Sequence, residues 1–323
     1  MRALSLFSGI GGLDIAAELC GIETVAFCEI EPYAVKVLER RWPGVPIIDD
    51  VRKIKGCDWP VDVIHGGFPC QDLSQAGKQK GLEGQRSGLW FEMLRVISEI
   101  RPAFVVAENV RGAINLALDT VQAGMEDEGY EVRTLLLPAA AFGAPHKRER
   151  MFVIGIRKDV VDSISGGRGA KRLARMGAEM VERRNAADVS SATEDSGAGL
   201  WPTPSANEDA CGTPNGKMQK MLGNNPEVRK EGGSLNPVWV EILMGFPLGW
   251  TDVDCDEPEP WPGWPALMGE SQYPYEPPRT VTGCPNRAKR LKCLGNAVVP
   301  QQAVPIFEAI RQIHNHVTCE CFT

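Results

Sequence analysis

Four residues place reactive or charged chemistry where the chain turns: Cys70, Glu108, Arg148 and Arg150. Cys70 stands in "GGFPCQDLS", where an apolar run ends in two glycines and Pro69 holds the thiol in a polar turn. A structural cysteine is normally a small buried hydrophobe, whereas a thiol at a strand end beside a glycine-rich loop fits a nucleophile. With an ordinary pKa of about 8.5, such a thiol is only a few per cent ionised at neutral pH, so it needs cations or helix-end dipoles nearby. The following "QDLSQAGKQKGLEGQRSG" offers Lys78, Lys80 and Arg86, and Gly77, Gly81, Gly84 and Gly88 can serve as hinges of a lid over substrate.

Glu108 closes the apolar run "AFVVAENV" beside Asn109. A carboxyl group held protonated by burial there can donate to a ring nitrogen; the competing reading is a helix-capping acid. Arg148 and Arg150 are two apart in "APHKRERMFVIG", hence on one side of an entering strand, and alternating arginines suit phosphate or base-carbonyl recognition.

A second group of residues points to a cofactor. In "LFSGIGGLD" the glycines follow a strand and open a helix, so the backbone can turn tightly and approach a ligand at the helix N-terminus. The spacing is not the dinucleotide G-x-G-x-x-G. Glu29, at the end of the next strand, can accept ribose hydroxyls, and Asp50 in "DDVRKI" either takes an adenine amine or is a solvated loop acid. An adenosine-bearing cofactor follows from these residues. A nicotinamide dehydrogenase would share the turn and the acid, but it has no use for the Pro-Cys turn.

The elements that must position these groups alternate. Strands are expected at "RALSLF", "ETVAFCEI", "DVIHGG" and "AFVVAEN", with helices after Gly12, at "PYAVKVLERRW" and at "GLWFEMLRVISEI". This rhythm predicts a parallel sheet with helices on both faces and ligands beyond the carboxyl ends of the strands. A helix near 114–129 and strands "EVRTLLLP" and "RMFVIGIR" extend the sheet. Residues 158–233 lose this period and begin with the basic stretch "RGAKRLARMGAEMVERRN", in isolation a solvated helix face. "NPVWVEILMGF" is a helix capped by Asn236 with Pro237 at its first position, residues 252–278 are acidic, Pro-rich loop, and "VVPQQAVPIFEAIRQIHN" is a closing amphipathic helix.

Composition excludes several classes. At 323 residues and 43% hydrophobic the chain can bury a large core, but its apolar runs are too short for the roughly 20 residues of a membrane span. The N-terminal apolar stretch is broken by Gly and Asp and belongs to the first folded element rather than to a signal peptide. Ten scattered cysteines without C-x-x-C spacing, and four histidines away from ligand spacing, predict reduced thiols in a cytoplasm and no metal. The net charge of -7 argues weakly against a polyanion partner.

Taken in order, "FSGIGG", "FCEIEPYA", "DDV", "GGFPCQDLSQAGKQKG", "ENV", "KRER", "LMGFP" and "LGNAVVP" resemble the DNA (cytosine-5)-methyltransferase family of bacteria and phages, over nearly the whole chain. His146 stands where the family commonly has Gln, and Ser8 where Ala is frequent. The resemblance implies an α/β fold, a Rossmann-like S-adenosylmethionine-dependent methyltransferase sheet with a smaller, irregular target-recognition domain. Residues 1–157 plus 285–323 would form the catalytic, cofactor-binding domain, and 158–284 the target-recognition region and a connecting helix. S-adenosylmethionine would lie near Phe7, Gly9, Gly11 and Gly12, with Glu29 on its ribose and Asp50 near its adenine. Ile30, Val51, Pro69 and Leu89 would line the pocket, and Asn296 and Ala297 would close it.

By the same resemblance, the target cytosine is flipped out of double-stranded DNA and Cys70 adds to its carbon 6. Glu108 bonds ring nitrogen 3 and the amine, Arg150 holds the carbonyl oxygen, and Arg148 organises the site. The basic stretch becomes a DNA-facing candidate. A monomer is expected, in a bacterial cell or phage-infected host, with or without a cognate restriction endonuclease. RNA cytosine methylation by the same chemistry and a non-catalytic DNA-binding role are the competing functions.

Overall fold

The structure is a computed structural model describing residues 1–69, 88–164, 199–208, 221–230 and 232–320. Cys70, the lid segment with its lysines and Arg86, and the basic stretch fall outside the described residues.

Apolar runs buried on both faces form the central sheet. Its strands are β1 (Arg2–Leu6), β2 (Glu23–Cys28), β3 (Ile47–Ile48), β4 (Val63–Gly67), β5 (Phe104–Val110), β6 (Tyr130–Pro138) and β7 (Glu149–Arg157), in the order β3-β2-β1-β4-β5-β7-β6. Strands β1 to β5 pair in parallel, but β7 pairs antiparallel with both β5 and β6. The wholly parallel sheet expected from the alternation is thus corrected to a mixed one. The reason is the connection: only residues 139–148 join β6 to β7, too few for the dozen or more of a parallel crossover, so the chain returns as a hairpin.

Side chains alternate across the pleat into two apolar layers. On one face Phe104, Val106, Phe152, Ile154 and Ile156 meet helices α1 (Gly12–Leu19), α5 (Lys158–Ile164) and α9 (Pro300–Glu320). On the other, Leu4, Leu6, Val105, Ala107, Met151 and Val153 meet α3 (Leu89–Ile100) and α4 (Ile114–Asp127). Gly66 permits the close approach of β4 to β1, because a Cβ there would lie 2.2 Å from the Leu6 carbonyl oxygen.

A third apolar cluster joins α2 (Pro32–Arg41) to the later chain: Trp42, Trp201, Trp239, Phe246 and Trp250 pack with Leu291 and Leu294. It holds α6 (Pro226–Arg229), a short ribbon of β8 (Ser234–Leu235) and β9 (Thr280–Val281), α7 (Pro237–Leu243) and α8 (Arg287–Asn296). The expected cap of α7 is present: the Asn236 side chain accepts from the Val238 amide at 3.0 Å. Residues 252–278 contain no helix or strand element, as their composition predicts.

A fully buried ion pair locks α7 to α8. Glu241 accepts from Arg290 at 3.0 Å, from the Gly249 amide at 2.7 Å and from the Thr251 amide at 2.8 Å, and it also meets the Thr251 hydroxyl. Removing one partner of such a pair strands a buried charge. Glu241→Ala is therefore expected to destabilise the fold by about 3–5 kcal/mol in urea unfolding, and a loss below about 1 kcal/mol would show that the network contributes little.

Candidate active site

The carboxyl end of the sheet opens into one cleft of about 400 Å³, its mouth included. It is lined by Phe7, Gly9 and Gly12 from the first turn, Gly67 from the end of β4, Glu108 from β5, and Asn296 and Ala297 from the end of α8. Residues separated by nearly the whole chain thus share one wall. Ser5, Asp14 and Val298 also line it, and the sequence reading missed them. Asp14 follows the glycines in "GGLD" and is fully buried, accepting from Ser5 at 3.1 Å and Thr24 at 2.9 Å. A charged residue inside an apolar helix turn was the available signal. Burial pushes its pKa up to about 7, with both hydroxyls opposing that rise.

The turn after β1 is built for close approach. Phe7 adopts φ +52, which is strained for a side chain, and Gly9 adopts φ +57 with no described residue within 4 Å of where its Cβ would be. At Gly12 a Cβ would lie 2.5 Å from the Val298 carbonyl, so this glycine brings α1 against residues 297–298. Gly11 serves another purpose: its φ is +80, and a Cβ would strike the Trp42 ring at 2.3 Å.

Glu29 holds that turn in place. Its Oε2 accepts from the Gly9 amide at 2.7 Å, and its Oε1 accepts from the amides of Ile30 at 2.9 Å and Glu31 at 2.7 Å. A carboxylate has about four lone-pair sites, so roughly one remains for a ligand hydroxyl rather than the expected two. Beside it Ile30 is 73% exposed, an apolar side chain left open to solvent. Asp50 caps the turn at 51–53 and pairs with Arg52 at 2.7 Å; those bonds hold its carboxyl down at about 2. Val51 is buried in the core under α3, Leu89 is half-buried and Pro69 is exposed. The structure therefore brings five of the twelve expected cofactor residues into the cleft lining, with Glu29 bonded to one of them.

Across the cleft lies the charged pair. Arg150 Nε donates to Glu108 Oε1 at 2.8 Å, and the two residues are 8% and 7% exposed. Burial raises the Glu108 pKa, opposed by Arg150 and then Arg148. The neighbouring Asn109 serves the frame: its amide donates to the Phe68 carbonyl at 2.9 Å, which ties the end of β4 to the end of β5. The chain carrying Cys70 therefore departs from Pro69 beside the acid. Gly67 leaves room for that acid, since a Cβ there would lie 2.7 Å from Glu108 Oε2.

Arg148 faces elsewhere. At φ +33 and almost fully buried, its guanidinium donates to the carbonyls of Pro204 at 2.8 Å, Gly295 at 2.9 Å and Ala297. Burial and the adjacent Arg150 push its pKa well down. His146, where the resembling family has Gln, is fully buried and donates Nε2–H to the Leu243 carbonyl at 2.8 Å. Burial drives its pKa down to about 3.

This histidine makes stability pH-dependent with a definite sign. Below about 6.5 the unfolded chain takes up a proton that the folded imidazole refuses, so stability falls as the pH drops. The contribution is about 2 kcal/mol at pH 5. His146→Gln is expected to remove that part of the acid limb in urea unfolding at pH 7 and pH 5; an unchanged difference between the two pH values would refute it.

A mixed sheet with a glycine turn, a cleft at its carboxyl end and a buried acid facing it defines the Rossmann-like methyltransferase class of fold. The chain belongs to the C-5 cytosine-specific DNA methylases, whose family model matches residues 1–198. It is 37% identical over 169 residues to the Type II methyltransferase M.Eco47II of Escherichia coli, which covers 50% of this chain and 40% of that protein. Over 174 residues it is 37% identical to the orphan methyltransferase M.SPRI of Bacillus phage SPR, covering 50% and 39%. The chain thus spans less than half the length of these relatives in the alignments. Among solved structures, the S. pombe Dnmt2 methyltransferase superposes with a TM-score of 0.56 at 15% identity over 98% of this chain and 99% of that one. A DNMT2 from Spodoptera frugiperda gives 0.54 at 16% identity over 97% and 98%. At such identities these likenesses concern the fold.

The family's methyl donor is S-adenosylmethionine. The residues present fit it: an open glycine at the turn, an amide-anchored carboxylate with a free lone pair, and an exposed Ile30 able to cover an aromatic ring. No described helix is long and apolar enough to cross a membrane.

Proposed function

We propose that this chain methylates carbon 5 of cytosine in double-stranded DNA, through a transient bond between Cys70 and carbon 6 of a flipped base. The observation that carries this reading is the buried Glu108–Arg150 pair, whose Glu108 lines the cleft together with Gly67, three residues before Cys70 in sequence. Phe7, Gly9, Gly12, Glu29, Ile30, Asn296 and Ala297 would hold the cofactor. When bound, it supplies a sulfonium-activated methyl group.

The protein's own groups then have separate tasks. Cytosine carbon 5 is a weak nucleophile; thiolate addition at carbon 6 converts the ring into an enamine that can attack the methyl. Glu108, whose pKa burial raises, donates in its protonated form to ring nitrogen 3 and accepts from the exocyclic amine. Arg150 orients that acid and reaches the base's carbonyl oxygen. Loss of the carbon 5 proton expels the thiol and restores the ring.

Residues 158–284 would read the DNA sequence, with the basic stretch on phosphates. The role is DNA modification by a monomer in the cytoplasm of a bacterial or phage-infected cell, with or without a partner restriction endonuclease. A duplex carrying 5-fluorocytosine cannot lose the group at carbon 5, so it should leave a covalent conjugate at Cys70 in the presence of S-adenosylmethionine. Mass spectrometry that finds free duplex and unmodified Cys70 after turnover would overturn the mechanism.

A further inference from the structure

The segment between Thr203 and Glu208 is seated on the catalytic frame by backbone contacts. Arg148 receives it at two points: the Thr203 hydroxyl accepts from the Arg148 amide at 3.2 Å, and the Pro204 carbonyl accepts from its guanidinium at 2.8 Å. The next peptide lies flat against Gly295, where a Cβ would come within 2.1 Å of the Ser205 carbonyl carbon. Since Arg148 also holds Gly295 and Ala297, the segment, the cofactor wall and the strand carrying Arg150 share one anchor.

Glu208 extends this anchor. It is 5% exposed, and its Oε1 accepts from the Ser205 amide at 2.9 Å and hydroxyl at 3.0 Å. Its Oε2 accepts from the Gly223 amide at 2.8 Å. Gly223 is held so near that a Cβ would lie 2.8 Å from the Glu208 carbonyl oxygen. From Gly223 the chain is fixed onward, its carbonyl accepting from Arg229 at 2.7 Å. One buried carboxylate therefore bridges the part of the 158–284 region docked on the catalytic frame and the part that begins at residue 221.

We propose that Glu208 is a specificity-determining positioning residue, which sets where the DNA-reading region stands relative to Glu108 and Arg150. The proposal rests on the preceding reading of residues 158–284 as that region. Base edges are told apart by hydrogen bonds that tolerate displacements of only about 0.5 Å. Loosening this bridge should therefore blur which sequence is chosen before it slows methyl transfer at an accepted site.

The test compares the full-length wild type with Glu208→Gln and Gly223→Ala on a genomic DNA substrate, brought to equal total methylation and read by bisulfite sequencing. Glu208→Gln keeps the shape but replaces one accepting oxygen by a donor, while Gly223→Ala disturbs the same contact from the other side. The ratio of methylation at secondary sites to that at the main site does not depend on how much enzyme is folded. It is expected to rise about tenfold in both variants, comparable to the discrimination carried by one base pair. An unchanged ratio in both would overturn the proposal while leaving the methyltransferase reading intact. A wild type that leaves every cytosine unmodified would overturn that reading and the proposal with it.

Discussion

Cys70→Ser is expected to lower methyl transfer by about 10⁴-fold or more, the scale on which losing a catalytic nucleophile acts. Serine is close to isosteric, yet its hydroxyl ionises far less readily than a thiol and is the weaker nucleophile at neutral pH. The described cleft has supports of its own. The glycine turn is fixed by Glu29, and the end of β4 is tied down by Asn109 bonding the Phe68 carbonyl. The variant should therefore bind S-adenosylmethionine with an affinity within about threefold of the wild type, because the substitution acts on the chemical step alone. Tritium transfer to DNA and equilibrium dialysis of the labelled cofactor measure the two quantities. Retained transfer would exclude the covalent route; lost transfer with lost cofactor binding would assign Cys70 to the fold.

At Glu108 two substitutions separate hydrogen bonding from proton transfer. Glutamine preserves the pattern that a protonated carboxyl offers a cytosine, one donor toward ring nitrogen 3 and one acceptor for the amine. It cannot deliver a proton as the ring becomes an enamine. Glu108→Gln should therefore lower kcat by about 10²–10³-fold with little change in the KM for DNA. Glu108→Ala removes both functions and leaves Arg150, 8% exposed in the intact pair, without the carboxyl group it donates to. A larger fall, with KM also rising, is expected there. Equal kinetics for the two variants would reduce Glu108 to a mere partner of Arg150. Because burial raises its pKa, the protonated form persists above the ordinary carboxylate range, and its contribution declines as pH rises through that raised value.

The strands, the helices flanking them and the acid at the end of β5 were legible because apolar alternation and punctuation by Gly, Pro and Asn are local signals. Strand direction is not local. Nothing in "RMFVIGIR" distinguishes a parallel strand from an antiparallel one, and only the ten-residue link after β6 forces the reversal. Helix α8 escaped notice because Arg287, Lys289, Arg290 and Lys292 dilute its apolar stripe. Arg290 is nevertheless buried, its charge met by Glu241 from a distant part of the sequence. Glu29 is legible as a strand-end acid, but three of its lone pairs serve the backbone, which only the folded turn reveals. Arg148 and Arg150 look equivalent in sequence; the left-handed φ at Arg148 turns one to carbonyls of the later chain and leaves the other on the acid.

The reversed direction of β7 decides how the acid meets its arginine. Every forward strand contributes what comes at its exit, whereas this one contributes what comes at its entrance, so Arg150 arrives opposite Val110, two pairs from the Glu108–Phe152 pair. The distance between acid and arginine is thereby written into a ladder of main-chain bonds instead of a loop. Sliding that ladder by its smallest face-preserving step would carry the guanidinium about 7 Å along the strand, beyond reach of the carboxylate. Spacing at this centre is therefore adjustable in jumps rather than by degrees, and loops elsewhere can change length without disturbing it.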